Sequence, residues 1–155
     1  MVIFGGIFTS VKLKLITALK GLKDICSGAA WQVMSEVSSV LVTGGAGFIG
    51  LHLVKRLLSL GVDVIVFDVL ENSARRKMLE SIAKDDLSGK LTVVRGDVLA
   101  GEKQLSKALA SAEAVVHLAA LVDVSASMKA PEAVDRVNAL GTLLVLKACV
   151  DAGTK

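Results

Sequence analysis

The chain has no tyrosine among its 155 residues, so no phenol is on hand as a general acid or base. Aromatic residues make up 3% and the net charge is only +3, without a long basic run; a nucleic-acid partner has little support. The two cysteines, Cys26 and Cys149, lie far apart with no CxxC or histidine-rich spacing nearby. That usage excludes a disulfide framework, makes a metal site improbable and fits a reducing, cytoplasmic compartment. No apolar run approaches the ~18 residues of a membrane-spanning helix, so no transmembrane span is expected.

What is present is apolar and ordinary in proportion: 53% hydrophobic and 21% charged residues, enough for one domain around one core. Residues 1–38 differ from the rest and form an N-terminal extension. In "VKLKLITALKGLKDIC", Leu15, Leu19, Leu22 and Cys26 share one helical face, and Lys12, Lys20 and Lys23 lie away from it. A basic amphipathic helix is one way to target an organelle or lie on a membrane surface; an extra helix packed on the domain is the plain alternative.

From Ser39 the pattern becomes regular. "SVLVT" predicts a buried strand. Ile49, Leu53, Val54, Leu57 and Leu58 then repeat at helical spacing up to Gly61. "VDVIVFD" predicts a second strand ending at Asp68, "SARRKMLESIA" a helix capped by Ser73, and "LTVVRGD" a third strand. "EKQLSKALA" is a short helix and "AEAVVHLAA" a fourth strand. A long helix starts at Pro131, with Val134, Val137, Leu144, Val145 and Ala148 on its apolar face. This alternation predicts an α/β fold with a parallel sheet and helices on both faces.

Gly44 precedes Gly45, Gly47 and Gly50, which form G-x-G-x-x-G where the first strand gives way to its helix. Such glycines permit a tight turn, a close approach of backbone to a diphosphate, and close packing of helix on strand. Unpaired amides, including those of Phe48 and Ile49, and the positive end of the helix dipole then face the phosphates. Asp68 follows Gly50 by 18 residues at the end of the second strand, placed to accept both hydroxyls of an adenosine ribose. It would repel a 2′-phosphate, which favours NAD over NADP, although Arg75 and Arg76 lie just beyond. Without a ligand, the same residues are a glycine-rich turn and a strand-end carboxylate.

"TGGAGFIG" (Thr43 to Gly50) resembles the cofactor loop of the extended short-chain dehydrogenases/reductases, the NAD-dependent epimerases and dehydratases. Three further stretches agree in order and spacing. The resemblance implies that Asp97 and Val98 of "GDV" meet the adenine ring. It implies that Leu118, Ala119 and Ala120 of "HLAA" let backbone approach the cofactor. It also implies that Asn138 of "VNALGT" braces the neighbouring strand. His117 reads as a packed core histidine. Ser125 and Ser127 fall in a loop that borders substrate in the family, where serines are also simply solvated. The likeness covers about 116 residues, from Val40 onward, and implies a Rossmann-like NAD(P)-binding domain over 39–155, truncated after about four strands.

The family's Tyr-x-x-x-Lys pair cannot be mapped, so no catalytic residue is assigned and this chain alone is expected to be inactive. By resemblance the parent reaction is hydride transfer at a hydroxyl or keto carbon, of a nucleotide sugar or, from "HLAALVDVSAS", of a 3β-hydroxysteroid. A non-catalytic NAD-binding module and a truncated product are the alternatives. Without a fifth strand, the fourth is expected to form an open edge, a site for self-association unless the N-terminal extension covers it.

Overall fold

The structure, a computed structural model, describes residues 2–4 and 37–154. The amphipathic segment from Leu15 to Cys26 lies outside the described residues. Among the described residues, five strands form one parallel sheet: β1 (Val2–Phe4), β2 (Ser39–Thr43), β3 (Asp63–Asp68), β4 (Leu91–Arg95) and β5 (Ala114–His117). Their order across the sheet is β1-β5-β2-β3-β4. Central register runs Leu41 beside Ile65 on one side and beside Val115 on the other.

Strand side chains alternate faces, and both faces are covered. Val40, Val42, Val64 and Val66 pack with Leu53, Val54, Leu57 and Leu58 of α1 (Phe48–Ser59) and with Leu79 and Ile82 of α2 (Ser73–Ile82). Leu41, Ile65, Phe67 and Val115 face the other way. They pack with Leu105, Ala108 and Leu109 of α3 (Glu102–Leu109) and with Val145, Ala148 and Cys149 of α6 (Gly141–Ala152). An all-parallel sheet needs this double cover, which is why β2 and β3 read as continuous apolar runs.

Every expected strand and helix from Ser39 onward forms, but three details differ. The cap of α2 is Asn72, not Ser73: Asn72 is extended at φ −83° and its Oδ1 accepts the Arg75 amide at 3.0 Å. The loop holding Ser125 and Ser127 is a short helix, α4 (Val124–Lys129). The long helix from Pro131 is two α segments, α5 (Pro131–Asp135) and α6, joined by a π-turn over Arg136–Leu140. Pro131 opens α5 at its first turn. Val145 and Ala148 are buried as expected, whereas Val134, Val137 and Leu144 are only half-buried.

The expected open edge on the fourth strand is occupied. β1 pairs there in parallel, Val2 beside Val115, Ile3 beside Val116 and Phe4 beside His117. Three residues of the chain's own N-terminal segment thus take up the ladder groups that the sequence leaves exposed. Deleting residues 2–4 is expected to bare that edge and promote association, seen as a concentration-dependent rise in light scattering above that of the intact chain. Unchanged scattering would show that β5 needs no cover. Among the described residues, no helix is long and apolar enough to cross a membrane.

Candidate functional site

Parallel strands bring their C-terminal ends to one rim, where Thr43, Asp68 and His117 stand on neighbouring strands. Between β2 and α1 the chain turns at Gly44, the only glycine of the loop with positive φ, +67°. The Gly44 amide donates to the Phe67 carbonyl at 2.9 Å, tying the turn to β3, and its carbonyl accepts the Gly47 amide at 2.9 Å. A Cβ on Gly44 would stand 2.6 Å from the Ala119 amide nitrogen, so the turn rests directly on the chain leaving β5. A Cβ on Gly50 would stand 2.5 Å from the Gly44 carbonyl oxygen, so the helix begins against the turn itself. Gly45 is buried against Val66, whereas Gly47 is half-buried and has only the Gly44 carbonyl near its Cβ position.

Gly47 caps α1 without a side-chain hydrogen bond, and the first turn carries no acidic residue. The opening amides therefore receive no carboxylate or hydroxyl from the helix's own cap, which leaves a positive, anion-accepting end. Gly50 is buried, Ile49 half-buried and Phe48 exposed, its ring edge-on to His52 at 5.2 Å.

Asp68 sits beside this loop, half-buried. Its Oδ2 accepts the Ala46 amide at 3.0 Å and its Oδ1 accepts the Leu70 amide at 3.0 Å. Each oxygen keeps a second lone pair, so the carboxylate is fixed in place with capacity left for two hydroxyl donors. Sequence reading did not foresee that Leu70 adopts a left-handed φ of +56° to close this turn. Arg75 and Arg76 start α2 on the exposed side, with Arg76 3.7 Å from Glu80.

Asp97 is exposed and its Oδ1 accepts the Leu99 amide at 2.9 Å, closing the turn after β4. Val98 turns inward instead, buried in the core with its Cγ2 2.9 Å from the Cβ position of Gly141 on α6. Leu118, Ala119 and Ala120 are half-buried at the rim. Asn138 grips the loop after β5 and not the strand proper, donating to the Leu121 carbonyl at 2.9 Å and accepting the Leu121 amide at 2.8 Å. Beside it, Ser127, Pro131, Val134, Asp135, Asn138 and Ala139 line an open cavity of about 310 Å³.

A buried polar chain links these parts. Thr43 Oγ1 lies 2.6 Å from His117 Nδ1, and His117 Nε2 lies 3.1 Å from Thr142 Oγ1. Thr142 Oγ1 in turn donates to the Asn138 carbonyl at 2.6 Å, inside the π-turn. Sequence reading assigns no role to Thr43 or Thr142; for Thr43 the signal is a polar residue ending an otherwise apolar strand. His117 is the packed core histidine expected, 3% exposed, and burial lowers its pKa from the usual 6.5. The unfolded chain therefore takes up this proton first. The stabilisation is fully present above about pH 6.5 and is lost progressively as pH falls through the window below it. Urea unfolding at pH 7.5 and 5.5 should show wild type losing more stability on acidification than His117→Asn; equal losses would remove His117 from the account.

The fold and this site define a doubly wound α/β domain of the dinucleotide-fold class. The chain belongs to the GDP-mannose 4,6 dehydratase family, part of the NAD-dependent epimerases and dehydratases, whose pattern residues 41–155 match. It is 41% identical over 120 residues to UDP-glucose 4-epimerase from Erwinia amylovora, covering 74% of this chain and 34% of that protein. It is 36% identical over 118 residues to 3 beta-hydroxysteroid dehydrogenase type 7 from Rattus norvegicus, covering 74% and 32%. Among solved structures, UDP-glucose 4-epimerase from Brucella ovis in complex with NAD superposes with a TM-score of 0.62 at 31% identity, covering 76% of this chain and 34% of that one. The chain thus spans about a third of the length of these relatives.

Proposed function

We propose that this site binds NAD as the cofactor portion of an epimerase- or dehydratase-type oxidoreductase. The observation that carries the reading is the conjunction of an uncapped helix start at Gly47 with a carboxylate anchored beside it at Asp68. The amides opening α1 would hold the diphosphate. Asp68 would take the adenosine ribose hydroxyls and disfavour a 2′-phosphate. Asp97 and Val98 stand by resemblance at the adenine end, and Leu118 to Ala120 at the other. NAD supplies hydride-transfer chemistry when bound. The NAD complex of the matched epimerase supports the assignment.

For the parent activity, likeness to UDP-glucose 4-epimerases favours oxidation and reduction at a hydroxyl or keto carbon of a nucleotide sugar. Likeness to the 3 beta-hydroxysteroid dehydrogenase favours a sterol as the second reading. In either case we infer that the 155 residues alone do not turn over, because they hold no tyrosine to act as the family's acid and base. A regulatory NAD-binding module is the remaining reading.

Isothermal titration should give saturable heat with NAD and at least tenfold weaker binding of NADP, while absorbance of reduced nicotinamide stays flat with UDP-sugars and 3β-hydroxysterols. Equal affinity for the two dinucleotides would overturn the role given to Asp68. Substrate-dependent reduction would overturn the inference of inactivity.

A further inference from the structure

We propose that His117 is a positioning residue for the dinucleotide site. As a neutral imidazole carrying its proton on Nε2, it fixes the strand end at Leu118–Ala119 against the glycine turn. The proposal rests on the NAD reading above for its functional meaning, and on hydrogen-bond bookkeeping for its structural content.

The Thr142 hydroxyl has one proton and spends it on the Asn138 carbonyl at 2.6 Å. Toward His117 Nε2, at 3.1 Å, Thr142 Oγ1 can therefore only accept, so Nε2 carries the hydrogen. A neutral imidazole has one N–H, which leaves Nδ1 bare. The Thr43 hydroxyl, 2.6 Å away, must then donate to Nδ1. Its lone pairs remain free to accept the amides of Leu118 at 3.2 Å and Ala119 at 3.3 Å. Every one of these side-chain donors and acceptors is satisfied under this one assignment.

The alternatives fail at the same atoms. With the proton on Nδ1, Thr142 Oγ1 and Nε2 face each other without a hydrogen between them, and three N–H groups crowd Thr43 Oγ1. An imidazolium restores the Thr142 bond but keeps the crowding at Thr43. The groups meeting the imidazole from β2 and α6 are hydroxyls, and burial lowers its pKa.

The consequence reaches the cofactor loop because the packing there has no slack. The backbone of Leu118 and Ala119 stands 2.6–2.8 Å from where a Gly44 Cβ would be. The Leu118 amide is held by the Thr43 carbonyl at 3.0 Å as well, whereas the Ala119 amide is held by the Thr43 hydroxyl; if Thr43 releases it, the chain at Ala119 moves and the turn resting on it moves too. Protonation of His117 would thus weaken dinucleotide binding without any contact between imidazole and ligand.

Three measurements test this. Imidazole nitrogen NMR on ligand-free protein should show the Nε2–H tautomer, and amide exchange at Ala119 should quicken as His117 titrates, while Leu118, held by the Thr43 carbonyl, serves as the internal reference. NAD titrations between pH 7.5 and 5 should show affinity falling toward about tenfold per pH unit below the His117 pKa, the limit for one linked proton. His117→Asn should abolish that slope, whereas Thr142→Ser, which keeps the acceptor, should preserve it. An Nδ1–H tautomer, or the same slope in His117→Asn, would overturn the proposal. Absence of NAD binding at pH 7.5 would overturn the NAD reading instead; the tautomer and the Ala119 amide, measured without ligand, then decide the role of His117 by themselves.

Discussion

Gly44→Val is expected to destabilise the domain more than any other single change in the loop. Two independent penalties coincide. A β-branched residue at φ +67° enters a left-handed region it rarely occupies, at a cost of about 1–3 kcal/mol. Its Cβ would also stand 2.6 Å from the Ala119 nitrogen and 2.8 Å from the Leu118 carbonyl carbon. Both atoms are backbone, so relief requires the β2 turn and the β5 exit to part. Overpacking of that kind adds about 1–3 kcal/mol. Together the terms approach half the stability of a typical domain, about 5–15 kcal/mol. Thermal unfolding should show a fall in Tm of more than about 10 °C, on the scaling of a few degrees per kcal/mol. A fall of only a few degrees would mean that the turn and the β5 exit are not in rigid contact.

Gly47→Leu should separate binding from folding. Gly47 has a negative φ of −69°, and its Cβ position meets only the Gly44 carbonyl, at 3.0 Å. The fold should tolerate the change for about 1 kcal/mol, the usual cost of a poor cap. The new side chain, however, occupies the approach to the helix opening where the diphosphate is proposed to rest. NAD affinity should drop at least 100-fold, about 2.7 kcal/mol, with Tm nearly unchanged. Affinity within a few-fold of wild type would show that the nucleotide does not use this helix end.

These contrasting outcomes come from two glycines three residues apart, one just before the motif and one inside it. G-x-G-x-x-G was legible in the sequence because spacing and composition carry it. Which glycine bends the chain, and which merely clears space, depends on what lies across the turn. The positive φ falls on Gly44, just before the motif, where the turn packs directly against the chain leaving β5.

The strands from Ser39 to His117 were legible for a similar reason: β-branched runs bounded by polar residues are local signals. Asn72 against Ser73 was not, since both residues cap well and only the backbone at Asn72 decides. Nor was the Thr43–His117–Thr142 chain, whose members are 74 and 25 residues apart. Pairing between β1 and β5 joins residues more than a hundred positions apart, and nothing in "MVIFGGIF" names its partner. Long-range contacts become readable only once topology has placed the elements side by side.

The common direction of the strands has a practical corollary. If the ligand sits where their C-terminal ends converge, the opposite rim lies away from it. The turn at Ser111, exposed between α3 and β5, lies on that far side. A fluorophore coupled there through an introduced cysteine, or a surface tether for immobilisation, would report on nucleotide capture from across the full thickness of the sheet without standing in its path.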